Sequence, residues 1–223
     1  MPQIENLETA EELQAAARSR LYDLLARAFV LPDPTFHQAV REGAFAAEVW
    51  DNLAALAYPF AVGAGEAILQ EFADVPGHRE LQSEYIRLFD VGTPRPPCPL
   101  YGGEYKKGRK GTMEELIRFY NYFGLRPSPR SRDMPDHITT ELEFMHFLTF
   151  REVAALHHQQ DRSSYLRAER DFLGRHLCAW VPRLAERLRR QQPHPFYAAL
   201  IRLAEAFLAA DLRYVEGVLQ PDR

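Results

Sequence analysis

The side chains best suited to chemistry gather around Asp133, Asp136, His137, Glu141, Glu143 and His146. At helical spacing His137 and Glu141 share one face, and Glu143 and His146, three apart, share another. Glu-x-x-His is half of a di-iron carboxylate signature, which needs a second such pair and two further glutamates on facing helices. The chain contains no second Glu-x-x-His. A helical carboxylate metalloenzyme using Glu143 and His146 is therefore the alternative reading. Against it stands a plainer one, in which acids near a helix start answer its dipole and the remaining polar positions face water. HExxH and Cys/His zinc spacings are absent.

Other chemistries find little support. No GxSxG elbow, GxGxxG or GxxxxGK[ST] occurs, and Cys98 and Cys178 lie far apart outside any CxxC pair. His176 and Cys178, two apart, would point to different sides of a helix. The run Lys106-Lys-Gly-Arg-Lys-Gly111 is basic and glycine-rich but lacks strand-then-helix context, so it reads as a solvated loop able to attract an anion or an acidic partner. Aromatic residues are the stronger signal. Those at helical spacing belong to a core, whereas Phe89, Tyr101 and Tyr105 beside proline-rich segments, with Trp180, suit a peptide-binding groove.

The elements that must hold these residues are helical. Alanine and leucine outnumber the β-branched residues roughly two to one, which favours helix over strand. Thr9 and Glu12 form a capping box ahead of a stripe of Leu13, Ala17, Leu21, Leu24 and Ala28 that ends near Pro32. Asp33-Pro34 opens a second helix stopped at Gly43. Phe45, Val49, Leu53 and Leu56 face inward from a third that closes at Pro59, and residues 64–72 form a short fourth. Leu81, Tyr85 and Leu88 line a helix ending near Asp90. A proline-rich functional loop then runs from about 91 to 111. Thr112 and Glu115 form a second capping box, with Leu116, Phe119 and Phe123 inward and Gly124 as the stop. A second proline-rich loop reaches Pro135. Ile138, Leu142, Met145 and Leu148 mark the longest, central helix, to about His158. Ser163 or Ser164 opens the next, ending near Cys178, and Pro182 and Pro195 each suit a helix's first turn. The fold class is all-α, a single-domain helical bundle of about eight to ten helices.

Length and composition agree. A chain of 223 residues, 46% hydrophobic and 26% charged, can bury a substantial core and is not disordered. A net charge of -4 with dispersed basic residues argues against a nucleic-acid surface. No apolar run approaches the roughly 18 residues of a membrane span, and the N-terminus lacks a signal peptide, so a soluble, cytoplasmic protein without stable membrane association is expected.

Four segments, in order, resemble the TorD/DmsD/NarJ family of molybdoenzyme maturation chaperones, the redox-enzyme maturation proteins. Glu84-Tyr-Ile-Arg-Leu-Phe89, followed by Asp-Val-Gly92, is similar to the family's Tyr-x-x-Leu-Phe segment. Asp133-Met-Pro-Asp136-His137-Ile, leading to Glu141-Leu-Glu-Phe-Met145, resembles its acidic Asp-His motif. His176-Leu-Cys-Ala-Trp180-Val-Pro182 and His194-Pro-Phe-Tyr197 resemble its two C-terminal signatures. The likeness covers about residues 80 to 212, with a fainter echo in Arg20-Leu-Tyr-Asp-Leu-Leu25.

The resemblance implies an all-helical, non-catalytic chaperone. It would bind the N-terminal leader and immature body of a dimethyl sulfoxide reductase-type catalytic subunit until molybdenum cofactor is inserted, before export or membrane attachment. Asp136 and His137 match positions implicated in recognising a twin-arginine-type leader. The client-binding set read from motif and aromatics together is Tyr85, Phe89, Tyr101, Tyr105, Asp133, Asp136, His137, Glu141 and Trp180. No resident cofactor or metal is implied, only transient contact with molybdopterin guanine dinucleotide or GTP. Where many relatives carry Pro-Pro-x-Glu-Ser, this chain has Pro97-Cys-Pro-Leu-Tyr101-Gly-Gly-Glu-Tyr105. That variant is similar to chaperones serving ethylbenzene dehydrogenase, dimethyl sulfide dehydrogenase and the chlorate, selenate and nitrate reductases.

Overall fold

The N-terminal capping box forms as the sequence predicts. Thr9 Oγ1 accepts the Glu12 amide at 3.1 Å, and the Glu12 carboxylate takes the Thr9 amide at 2.8 Å, opening helix α1 (Ala10–Ala28). Its inward stripe is Ala17, Leu21, Leu24, Leu25 and Ala28, while Leu13, expected there, is 50% exposed. The structure is a computed structural model that describes residues 7–57, 70–72, 74–126 and 134–220.

Asp33 caps α2 (Pro34–Arg41) by accepting the Phe36 amide at 2.7 Å. Gly43, at φ 78°, then turns the chain directly into α3 (Ala44–Ala54), a conformation glycine adopts without a Cβ penalty. Phe45, Val49, Leu53 and Leu56 are buried as expected. Pro59 lies outside the described residues, as does most of the fourth helix expected over 64–72, of which 70–72 are helical. Helix α4 (His78–Tyr85) loosens into one π-helical turn (Ile86–Asp90), placing Leu88 and Phe89 in the core.

The proline-rich loop is shorter than expected. Helix α5 (Arg109–Tyr122) starts one turn before Thr112, because Gly108 at φ 79° turns the chain there and its carbonyl takes the Thr112 amide at 3.1 Å. Thr112 is thus a buried residue within the helix and no cap, which corrects the second capping box. At the other end Gly124, at φ 73°, makes the expected stop, with the Leu125 amide returning to Tyr120 O at 2.9 Å.

Helix α6 (Ile138–His157) is central, but with 20 residues it is shorter than α9 (Pro195–Leu219), which has 25. Between them, α7 (Ser163–Arg175) and α8 (Leu177–Arg189) meet at a break on His176. Pro182 lies inside α8 instead of opening it. The buried stripe Leu177, Trp180, Val181, Leu184, Ala185 and Leu188 holds the helix in register through the proline. Pro195 does take the first turn of α9.

Among the described residues these nine α-helices surround one hydrophobic core, with α1 lying along α6 and α9 against α7 and α8. Across it runs a buried charge cluster. Arg18 of α1 reaches Asp211 of α9 at 2.6 Å, and Glu152 of α6 and Glu169 of α7 at 2.5 Å each, with all four side chains fully buried. Tyr22 donates to Asp211 at 2.6 Å. Burial pushes the Glu169 carboxyl up to about 8 despite the Arg18 charge beside it. No described helix is long and apolar enough to cross a membrane.

Candidate functional site

The loop between the π turn and α5 is an ordered structure with its own anchors. Cys98 N–H donates to Leu88 O at 2.8 Å, tying it to the π turn, and Ile138 N–H donates to Leu100 O at 2.8 Å, tying it to the start of α6. Tyr101 and His137 form an isolated antiparallel bridge with ring centroids 4.9 Å apart. Gly102–Glu104 then folds as a 3-10 turn.

Above this turn lies a cleft of about 390 Å³. Tyr85, Phe89, Pro96, Pro99, Leu100 and Tyr101 give it apolar walls, and Asp90, Arg95, Glu104, Arg109 and His137 give it polar ones. The π turn supplies Phe89 and Asp90, the loop supplies Arg95, Pro96, Pro99, Leu100 and Tyr101, and His137 caps α6 through Nδ1, which is 3.3 Å from the Thr139 amide. Glu104 is the electrostatic centre, paired with Arg95 through Oε2 and with Arg109 through Oε1 at 3.3 Å.

Beneath the turn is a buried polar anchor. Gly103 N–H donates to Asp136 Oδ2 at 2.9 Å, Gly102 N–H to Asp136 O at 2.8 Å, and Trp180 Nε1–H to Glu141 Oε2 at 3.0 Å. Tyr105 stacks on Trp180 at 5.5 Å and donates its hydroxyl to Pro99 O at 2.9 Å. The turn must be glycine here. A Cβ on Gly102 would meet Trp180 Nε1 at 3.0 Å, and one on Gly103 would meet Asp136 Oδ2 at 2.8 Å. Asp136 and Glu141 are fully buried, and Asp136 Oδ1 and Glu141 Oε1 lack hydrogen-bond partners among the described residues. Burial pushes the Glu141 carboxyl up to about 8, offset in part by the Trp180 indole N–H and the Lys106 charge. At neutral pH it is predominantly a neutral acid.

The residues expected to form one groove therefore divide. Tyr85, Phe89, Tyr101 and His137 line the cleft. Tyr105, Asp136, Glu141 and Trp180 hold the turn from below and are buried, so neither acid is the water-facing polar position of the plainer reading. Asp133 lies outside the described residues. Arg95 and Glu104 carry no motif that singles them out, and Arg109, expected only as part of a basic run able to attract an anion or an acidic partner, pairs with Glu104. Their signal was the charge alternation beside the glycine pair, masked by the basic run that follows. His146 and Glu143 do not converge on a site: His146 Nδ1 is 2.9 Å from Ser19 Oγ, while Glu143 is exposed. Among the described residues no group of three His, Cys, Asp or Glu could hold a metal. His176 is buried, with its pKa pushed down to about 3 by desolvation, and Cys178 Sγ donates to Leu208 O at 3.5 Å, so the two do not form a dyad.

Comparison with known proteins gives this geometry a context. The family model for the nitrate reductase delta subunit matches residues 57–186. The chain belongs to that family. Within it, the chain is 33% identical over 201 residues to the perchlorate reductase assembly chaperone protein of Dechloromonas aromatica, covering 89% of this chain and 90% of that one. It is 34% identical to the dimethyl sulfide dehydrogenase assembly chaperone protein of Rhodovulum sulfidophilum, covering 93% and 84%. A crystal structure described as a redox enzyme maturation protein from Archaeoglobus fulgidus shares the fold at TM-score 0.51 and 20% identity, over 93% of this chain and 98% of that one. The relatives it matches are named assembly chaperones, and this member of the family is an assembly chaperone.

Proposed function

We propose that this chaperone binds the immature catalytic subunit of a dimethyl sulfoxide reductase-type molybdoenzyme in the cytoplasm and holds it for cofactor insertion before export or membrane attachment. The observation that carries the reading is the cleft above the Gly102–Glu104 turn. An extended segment can lay apolar side chains against Tyr85, Phe89 and Tyr101 while its cationic groups meet Glu104 and Asp90. A twin-arginine-type leader has that chemistry, guanidinium groups followed by an apolar stretch. The relatives named for perchlorate reductase and dimethyl sulfide dehydrogenase support a client of that dehydrogenase and reductase group. Direct, transient contact with GTP or molybdopterin guanine dinucleotide belongs to the same reading. Saturable heat on titrating the protein with GTP supports that part, and its absence removes it.

Deleting the chain from its native cell and measuring molybdenum in the purified catalytic subunit tests the main proposal. Cofactor-deficient subunit, restored by the wild-type chain and poorly by Tyr101→Ala, is the expected result. Full metal loading without the chain would refute the role.

A further inference from the structure

We propose that Glu104 is the carboxylate that receives an arginine side chain of the client's leader, and that Arg95 and Arg109 occupy it until the client arrives. The inference rests on the leader reading above. It starts from an asymmetry within one cluster: the Glu104 side chain is 18% exposed, whereas Arg95 is 58% and Arg109 is 51% exposed. The acid is largely covered and its partners are mostly exposed. Glu104 sits on the 3-10 turn, its amide bonded to Tyr101 O at 3.0 Å and its neighbour Gly103 bonded to buried Asp136. Arg95 comes from a proline-rich stretch and Arg109 from the first position of α5.

Each carboxylate oxygen of Glu104 already holds one guanidinium, so the site is shaped for the group an arginine-bearing peptide would bring. Ion pairs with partners this exposed contribute little, and replacing one guanidinium by another leaves the acid paired throughout. Asp90 lines the same cleft, and the aromatic wall of Tyr85, Phe89 and Tyr101 adjoins. A client segment with adjacent arginines ahead of apolar residues complements all three features. The chain's own arginines thus act as a competing internal ligand, raising the threshold for a poorly matched client.

The test is calorimetry of the full chain with a synthetic peptide carrying an Arg-Arg pair followed by apolar residues, against the same peptide with Gln-Gln. Wild type should prefer the arginine peptide, Glu104→Gln should lose that preference by about tenfold or more, and the double variant Arg95→Gln, Arg109→Gln should bind several-fold tighter. Equal arginine-peptide affinity in wild type and Glu104→Gln would overturn the proposal and leave the leader reading standing. Weaker binding by the double variant would also overturn it, because the arginines would then be ligand contacts themselves. If wild type binds neither peptide, the leader reading falls and takes this proposal with it. Should Glu104→Gln fail to fold by circular dichroism, the double variant decides alone.

Discussion

Glu141 shows how a motif residue acquires its properties from its surroundings. In the unfolded chain its carboxyl titrates near the ordinary value of 4.5, and in the folded protein near 8. The folded state therefore keeps a proton that the unfolded state gives up. Stability from this group is fully present below pH 4.5 and is lost as the pH rises toward 8. Glu169 drives the same trend from the charge cluster. Glu141→Gln mimics the neutral acid and still accepts the Trp180 N–H. It should melt like wild type at pH 4 and several degrees higher at pH 8.5, by a scan of melting temperature against pH. The identities of Asp136, His137 and Glu141 were legible in the sequence because they sit in a recognisable motif at a helix start. Their burial was not, since it depends on the turn at Gly102–Glu104, some thirty residues earlier, closing over them.

That turn is the element whose position organises the site, and its glycines are where it can be disturbed. Gly102→Ala would press a methyl group against Trp180 Nε1 at 3.0 Å and Glu141 Oε1 at 3.2 Å, both buried. A loss of about 1–3 kcal/mol is expected by urea denaturation, with a change in tryptophan emission from the disturbed Trp180 stack. Pro182 offers the opposite sign. It is exposed within α8 and supplies no amide to the Cys178 carbonyl, so Pro182→Ala should stabilise the protein by about 1–3 kcal/mol in the same assay. Elements with local signals were readable in advance: the capping box at Thr9, the Asp33-Pro34 start and the Gly124 stop all form. Thr112 and Pro182 misled because their local preferences were overridden, by Gly108 in one case and by a buried stripe through Trp180 in the other.

At the scale of the whole molecule, Arg18 joins helices far apart in the chain by pairing with carboxylates of α6, α7 and α9. Removing it leaves Glu169 and Asp211 buried without that cation, while Glu152 keeps Arg162 at 3.1 Å. Arg18→Ala should cost about 3–5 kcal/mol in urea denaturation at pH 7. Lysine should not substitute, because a single ammonium cannot match the fork that meets three acids. The all-α class was legible from composition and periodicity. This cluster was not, because Arg18 is more than a hundred residues from each of its acids and each member alone reads as a surface charge on an amphipathic helix.

The central claim is that the chain is a chaperone for a molybdenum catalytic subunit. Affinity purification of the tagged protein from its native cell under molybdoenzyme-inducing conditions, with mass spectrometry of stoichiometric partners, tests it most directly. The account predicts one molybdoenzyme catalytic subunit, depleted in cofactor and reduced in the Tyr101→Ala pull-down. Repeated purifications that return no such subunit would contradict it.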